Sequence, residues 1–249
     1  MGLDKFVNII FPSHHNLHNK VILKNYIKEE FTYYPDSQTL CILCPPWHLS
    51  GFATTIVRQT LKRYKYSYLT YDIDPDVLSP DLVSTKKYFK GIITKMLLDI
   101  DRLDKKYKFI DIHIVGFSLG ALYAINIANR NKKTSKVILV TMGNSLAECL
   151  YDGVSTVDLK DKLLENGITI KKFNNYMKEF NPEENISGLK NKEIRILMSR
   201  SDQVIKYKYG LKQIQKMRKL GINPEVLVNQ NQGHYGTNLK FLLHPKNYL

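Results

Sequence analysis

The stretch "DIHIVGFSLGALYAINIANR", residues 111 to 130, decides the fold. A β-branched apolar run stops at Gly116, a serine sits between two glycines, and a helix of small residues follows. A strand that turns this sharply into a helix forces the turn residue into a strained backbone conformation. Side chains two positions to either side would collide there, so Gly116 and Gly120 are required. The turn lifts Ser118 Oγ clear of the sheet, with the helix N-terminus behind it. The N–H of Leu119 is left unpaired, facing whatever binds, and with the helix dipole it can stabilise a developing oxyanion. Ala121, Ala124 and Ala128 let the helix pack close against the sheet.

Outward from this turn, strand-like runs alternate with helical ones. Strands are expected at 39–44, 66–72, 109–115, 136–142, 193–200 and 224–229, and helices at 51–64, 85–107, 119–130 and 208–221. Strands separated by helices imply right-handed crossovers and a mostly parallel sheet covered on both faces. "FVNIIF" and "KVILKNYI", within residues 1–38, suggest an antiparallel edge. About fifty residues separate the strands at 136–142 and 193–200, more than a simple crossover needs. Residues 144–190 are therefore expected to form a helical cap over the sheet's carboxyl edge, inserted into a core made of 1–143 and 191–249. Leu163, Leu164, Phe173, Tyr176, Met177 and Phe180 would offer an acyl-binding surface or, more simply, the cap's own small core.

Composition bounds the alternatives. The chain has 249 residues, 43% of them hydrophobic, which supports a sizeable core. With 37 Lys plus Arg against 23 Asp plus Glu, the net charge is +14, which suits an anionic carrier or lipid surface as partner. There is no dense basic block and no RNP-style signature, so no specific nucleic-acid partner is expected. No run approaches the roughly 18 apolar residues of a membrane span. The N-terminus lacks a signal-peptide pattern, and Phe6 stands where a myristoylation signal has Ser or Thr. A reducing, cytoplasmic location is the expectation. Cys41 and Cys44 form a C-x-x-C inside an apparent strand, where they point to opposite faces and read as small buried hydrophobes. "HHNLH" at 14–18 has no carboxylate or cysteine nearby and Pro12 before it, so no metal site is assigned.

"IVGFSLGALYA" resembles the nucleophile elbow of the α/β-hydrolases, and the resemblance extends over residues 39 to 243 in the order of strands and helices. It implies an α/β-hydrolase fold and a chain order of serine, acid, histidine. Ser118 takes the first position; Asp202, just past "RILMSR", and His234, in "QNQGHYG" past the last strand, take the other two. Each follows a strand's carboxyl end, where open α/β sheets bind ligands. A second oxyanion donor is implied from the loop after the first central strand, which often begins His-Gly. Here that loop reads "LCPPWHLSGF". Pro45 and Pro46 have no N–H, so Trp47 is the nearest candidate and His48 the next. The acid loop "SDQVI" also lacks the proline common after the aspartate.

The resemblance implies a serine hydrolase acting on a carboxylic ester or thioester of a small acyl substrate, without metal or organic cofactor. Acyl transfer or acyl-carrier thioester cleavage, and a non-catalytic binding protein of the same fold, stay open.

Overall fold

The computed structural model describes residues 26–47, 59–244 and 248. "FVNIIF", "HHNLH", His48 and most of the expected 51–64 helix lie outside the described residues.

Among the described residues, seven strands form one sheet: β1 (Ile27–Thr32), β2 (Thr39–Cys44), β3 (Ser67–Ile73), β4 (Asp111–Phe117), β5 (Thr134–Val140), β6 (Glu193–Ser199) and β7 (Glu225–Asn229). Their order is β1-β3-β2-β4-β5-β6-β7, all parallel except β1, which pairs antiparallel with β3 at the edge. From β2 the chain passes to β3 on one side, then crosses back to β4 on the other. The carboxyl ends of β2 and β4 therefore flank the point where strand order reverses, the edge at which open α/β sheets bind ligands.

The central strands are apolar on both sides because both are covered. On one face Leu40, Ile42, Cys44, Ile112, Ile114, Val137, Leu139 and Ile196 pack against α1 (Leu82–Tyr107) and α2 (Leu119–Arg130). Ile214 and Met217 of α6 (Tyr207–Lys219) join the same cluster. On the other face Cys41, Leu43, Val115, Phe117, Ile138, Val140 and Leu197 meet Leu61 and, from α7 (Gly233–Leu243), Phe241 and Leu242. Cys41 and Cys44 thus serve opposite cores, both as free buried thiols. Burial pushes the Cys41 thiol up to about 12. Such a thiol stays protonated and is a poor nucleophile.

Local chemistry sets the helix ends. Asp81 Oδ1 accepts from Val83 N and Ser84 N at 3.1 and 3.2 Å, which starts α1 three residues before the periodicity suggests. The same helix stops at Lys108, whose left-handed φ of 54° lets its N–H reach Asp104 O.

Residues 144–190 form α3 (Leu146–Asp152), α4 (Val157–Glu165), α5 (Ile170–Met177) and short 3₁₀ turns. Leu163, Phe173, Met177 and Phe180 are buried and continuous with the main core on the α1–α2 face. Leu164 is exposed and Tyr176 half-buried. Two asparagines of α2, the helix behind Ser118, fasten this segment: Asn126, buried, and Asn129, half-buried. Asn126 Nδ2 donates to Phe180 O at 2.8 Å and to Leu122 O at 3.0 Å. Asn129 Oδ1 accepts from Gly188 N at 2.7 Å; within the segment itself, Asn181 Oδ1 accepts from Leu146 N at 3.1 Å.

Candidate active site

Ser118 connects β4 to α2 with φ 54° and ψ −118°, a conformation that costs a non-glycine residue on the order of 1–3 kcal/mol. The surroundings enforce it. Ser118 N donates to Val140 O of the neighbouring strand at 2.9 Å, and Ala121 N donates to Ser118 O at 3.0 Å. A Cβ on Gly116 would lie 2.6 Å from both Ala121 Cα and Ala124 Cβ. A Cβ on Gly120 would lie 2.1 Å from Cys44 O and 2.5 Å from Pro45 O. The two glycines are required as expected: Gly116 lets α2 rest on its own strand, and Gly120 lets it rest on the end of β2. Leu119, the first residue of α2, has no acceptor for its N–H among the described residues.

Asp202 and His234 come together. His234 Nδ1 lies 2.9 Å from Asp202 Oδ2, and both residues are only 3% exposed. The other oxygen, Asp202 Oδ1, accepts from Val204 N and Ile205 N at 2.8 Å each. The carboxylate is thereby oriented from one side by backbone and committed on the other to the imidazole. The hydrogen bond to a carboxylate puts the proton on Nδ1 and leaves Nε2 as the basic nitrogen. His234 stands in the first turn of α7, not on a loop as the flanking glycines suggest. Gly233 enters that turn at φ 62°, so the glycine starts the helix instead of marking a loop.

Helix α7 is drawn toward β4 and β5. Thr141 Oγ1, just past β5, donates to Asn238 Oδ1 at 3.3 Å, and the Phe117 and Phe241 rings meet edge-on at 5.3 Å. Ser118 thus shares the carboxyl edge with the Asp202–His234 pair. Its Oγ makes no hydrogen bond to the His234 ring among the described residues. That link is commonly long in ligand-free sites and tightens when substrate is bound.

Trp47 lies on the loop after β2, with its indole Nε1 donating to Pro75 O at 2.8 Å and its ring packed against the main core. The side chain is therefore anchored in place. Among the other histidines, His113 is half-buried within β4, and burial and then Lys136 lower its pKa, which favours a neutral ring away from the site. His244 is exposed at the end of α7. His14, His15, His18 and His48 lie outside the described residues. A cavity of about 630 Å³ lies between α3, α5 and α6, lined by Asn144, Glu148 and Lys212 among others. It touches none of Ser118, Asp202 and His234, so it does not mark the chemistry.

Sequence reasoning missed Ser199 and Ser201. Their hydroxyls both accept from Gly233 N at 3.1 Å and join the acid loop to the start of α7. Ser201 stands beside Asp202 in the sequence, but nothing in the sequence pairs either serine with Gly233.

A parallel sheet with an antiparallel edge, a strained serine between β4 and α2, and an acid–histidine pair past β6 and β7 define an α/β-hydrolase. The chain belongs to the prolyl oligopeptidase family, whose model matches residues 101–244. No curated protein matches its sequence. Solved structures share the fold. An esterase of Pyrococcus furiosus superposes with a TM-score of 0.60 at 16% identity, covering 89% of this chain and 87% of that one. Est1E from Butyrivibrio proteoclasticus, with ferulic acid bound, gives 0.63 at 15% identity over 89% and 93%. An acylaminoacyl peptidase of Pyrococcus horikoshii gives 0.63 at 11% identity, over 89% of this chain and 40% of that longer one. Among the described residues, no helix is long and apolar enough to cross a membrane.

Proposed function

We propose that the protein is a serine hydrolase that cleaves a carboxylic ester or thioester through an acyl-enzyme. Ser118 Oγ attacks the carbonyl carbon while His234 Nε2 takes the hydroxyl proton. Asp202 holds the ring by Nδ1–H and stabilises the imidazolium. The N–H groups of Leu119 and Trp47 bear the oxyanion. Collapse of the tetrahedral intermediate expels the alkoxide or thiolate, which leaves with the proton from His234. Water then attacks the acyl-serine, giving its proton to His234, and the carboxylic acid departs as Ser118 is reprotonated. No step calls for a metal or organic cofactor.

The observation that carries this reading is the buried Asp202–His234 bond at the same sheet edge as Ser118. In this reading residues 144–190 cap the edge, and the +14 charge favours acyl donors carried on an anionic group. A second reading, favoured by the family match, has the same serine open an amide bond in a short peptide. The acyl-enzyme is common to both, and only the leaving group differs.

The test is a p-nitrophenyl ester series of increasing acyl length, run beside acyl-thioesters and an N-acyl-aminoacyl p-nitroanilide. Ester turnover that vanishes in Ser118→Ala is expected. Faster anilide than ester turnover establishes the peptidase reading. A folded wild type with no turnover on any of the three overturns the hydrolase.

A further inference from the structure

We propose that Ser199 and Ser201 form a two-hydroxyl clamp on the Gly233 N–H that sets the His234 ring against Asp202. The proposal rests on the hydrolase reading above, in which His234 is the base. Ser199 ends β6 and is 1% exposed; Ser201 immediately precedes Asp202. Their Oγ atoms lie 3.2 Å apart, and each is 3.1 Å from Gly233 N. The acid loop therefore grips the start of α7 twice: Ser199 and Ser201 hold Gly233, and the next side chain, Asp202, holds His234 at 2.9 Å.

The gripped residue is the one whose conformation aims the imidazole. Gly233 has φ 62°, a left-handed value, and His234 follows it directly. A small rotation at that glycine swings the ring off the carboxylate. Gly233 O is fixed as well, accepting from Thr237 Oγ1 at 2.8 Å. With both of its peptide polar groups bonded, the turn has one setting. Neither serine touches the reacting atoms, so both are positioning residues.

Two acceptors for one donor make the clamp redundant, and redundancy leaves a recognisable signature. Losing one hydroxyl leaves the N–H bonded to the other. Losing both strands a buried donor, which is much more costly than a lost bond that is replaced. Ser199→Ala and Ser201→Ala are each expected to keep kcat within about threefold of wild type. The double variant is expected to lose about 10–100-fold in kcat with KM unchanged, far beyond the product of the singles.

The closing experiment combines this cycle with the low-field proton NMR signal of the His234 Nδ1–H bonded to Asp202. The signal is expected in wild type, in Ser118→Ala and in both single variants, and to broaden or vanish in the double variant. A double variant whose kcat equals the product of the singles, or whose low-field signal is unchanged, overturns the clamp. If the double variant does not fold, amide exchange of Gly233 in the singles decides. Protection retained in both supports the clamp, and protection lost in either overturns it. Fluorophosphonate labelling of wild-type Ser118 separates this from the hydrolase reading. A protein that does not label fails that reading, while the NMR signal still tests the clamp in Ser118→Ala.

Discussion

Replacing Gly120 by alanine tests how the strained turn and the loop after β2 depend on each other. The new Cβ would stand 2.1 Å from Cys44 O, 2.5 Å from Pro45 O and 2.6 Å from Cys44 C. All three are backbone atoms, so no side-chain rotation relieves the clash. The N-terminus of α2 and the end of β2 must part by about 1 Å before carbon and oxygen reach ordinary contact. That movement separates the Leu119 N–H from the Trp47 loop, the two groups assigned to the oxyanion. A misplacement of this size costs about 10²-fold in the chemical step. Overpacking of this kind destabilises by about 1–3 kcal/mol, and at 2 kcal/mol lowers Tm by about 4–8 °C in a chain of this length. The assay is p-nitrophenyl acetate turnover and the rate of fluorophosphonate labelling, with Tm measured alongside. Gly167→Ala is the control. Its Cβ meets nothing within 4 Å, and its φ of 65° predicts a loss of about 1–2 kcal/mol with turnover intact. Wild-type turnover and labelling in Gly120→Ala would refute the reasoning, because the clash would then have been absorbed without moving the oxyanion groups.

Asp202→Asn keeps the fold, since an amide oxygen can still accept from Val204 N and Ile205 N, but it turns an NH₂ toward His234 Nδ1. The ring must then carry its proton on Nε2, and kcat falls about 10⁴-fold with stability little changed; a loss under tenfold counts against Asp202. Buried on opposite faces, Cys41 and Cys44 should resist a thiol reagent in the native protein and react on unfolding, and a reversible disulfide between them in the folded protein would contradict their placement. Asp152 is held well below the usual carboxylate range by Lys206, then Lys208 and Tyr209, so its contribution is present above its unfolded pKa of about 3.9 and is lost as pH falls toward the depressed folded value. Asp152→Asn should therefore lower Tm at pH 7, and by less at pH 3; an equal deficit at both refutes the ion pairs as the cause.

The central architecture was legible because chemistry and periodicity agreed. "TLCILC" is a strand with the bounds its apolar run suggests, and α2 starts at Leu119, where the glycine–serine turn requires it. β4 lies two residues later than its hydrophobicity indicates. Phe109 is buried but precedes the strand, Ile110 is 61% exposed, and Gly116 and Phe117 continue pairing with β5 up to the elbow. The antiparallel edge expected within residues 1–38 includes the polar "IKEEFT", because an edge strand buried on one side needs few apolar residues. His234 and Asp202 could be paired from their order along the chain. The hydrogen bonds from Gly233 to Ser199 and Ser201 could not, because they join residues more than thirty positions apart through a backbone N–H that no side-chain pattern encodes.

Peptide mapping of the wild-type protein after fluorophosphonate treatment tests the central claim most directly. One phosphonyl group on Ser118, absent from Ser118→Ala and strongly slowed in His234→Ala, is the predicted result. A folded protein that takes up no label, or carries it on another residue, would contradict the account.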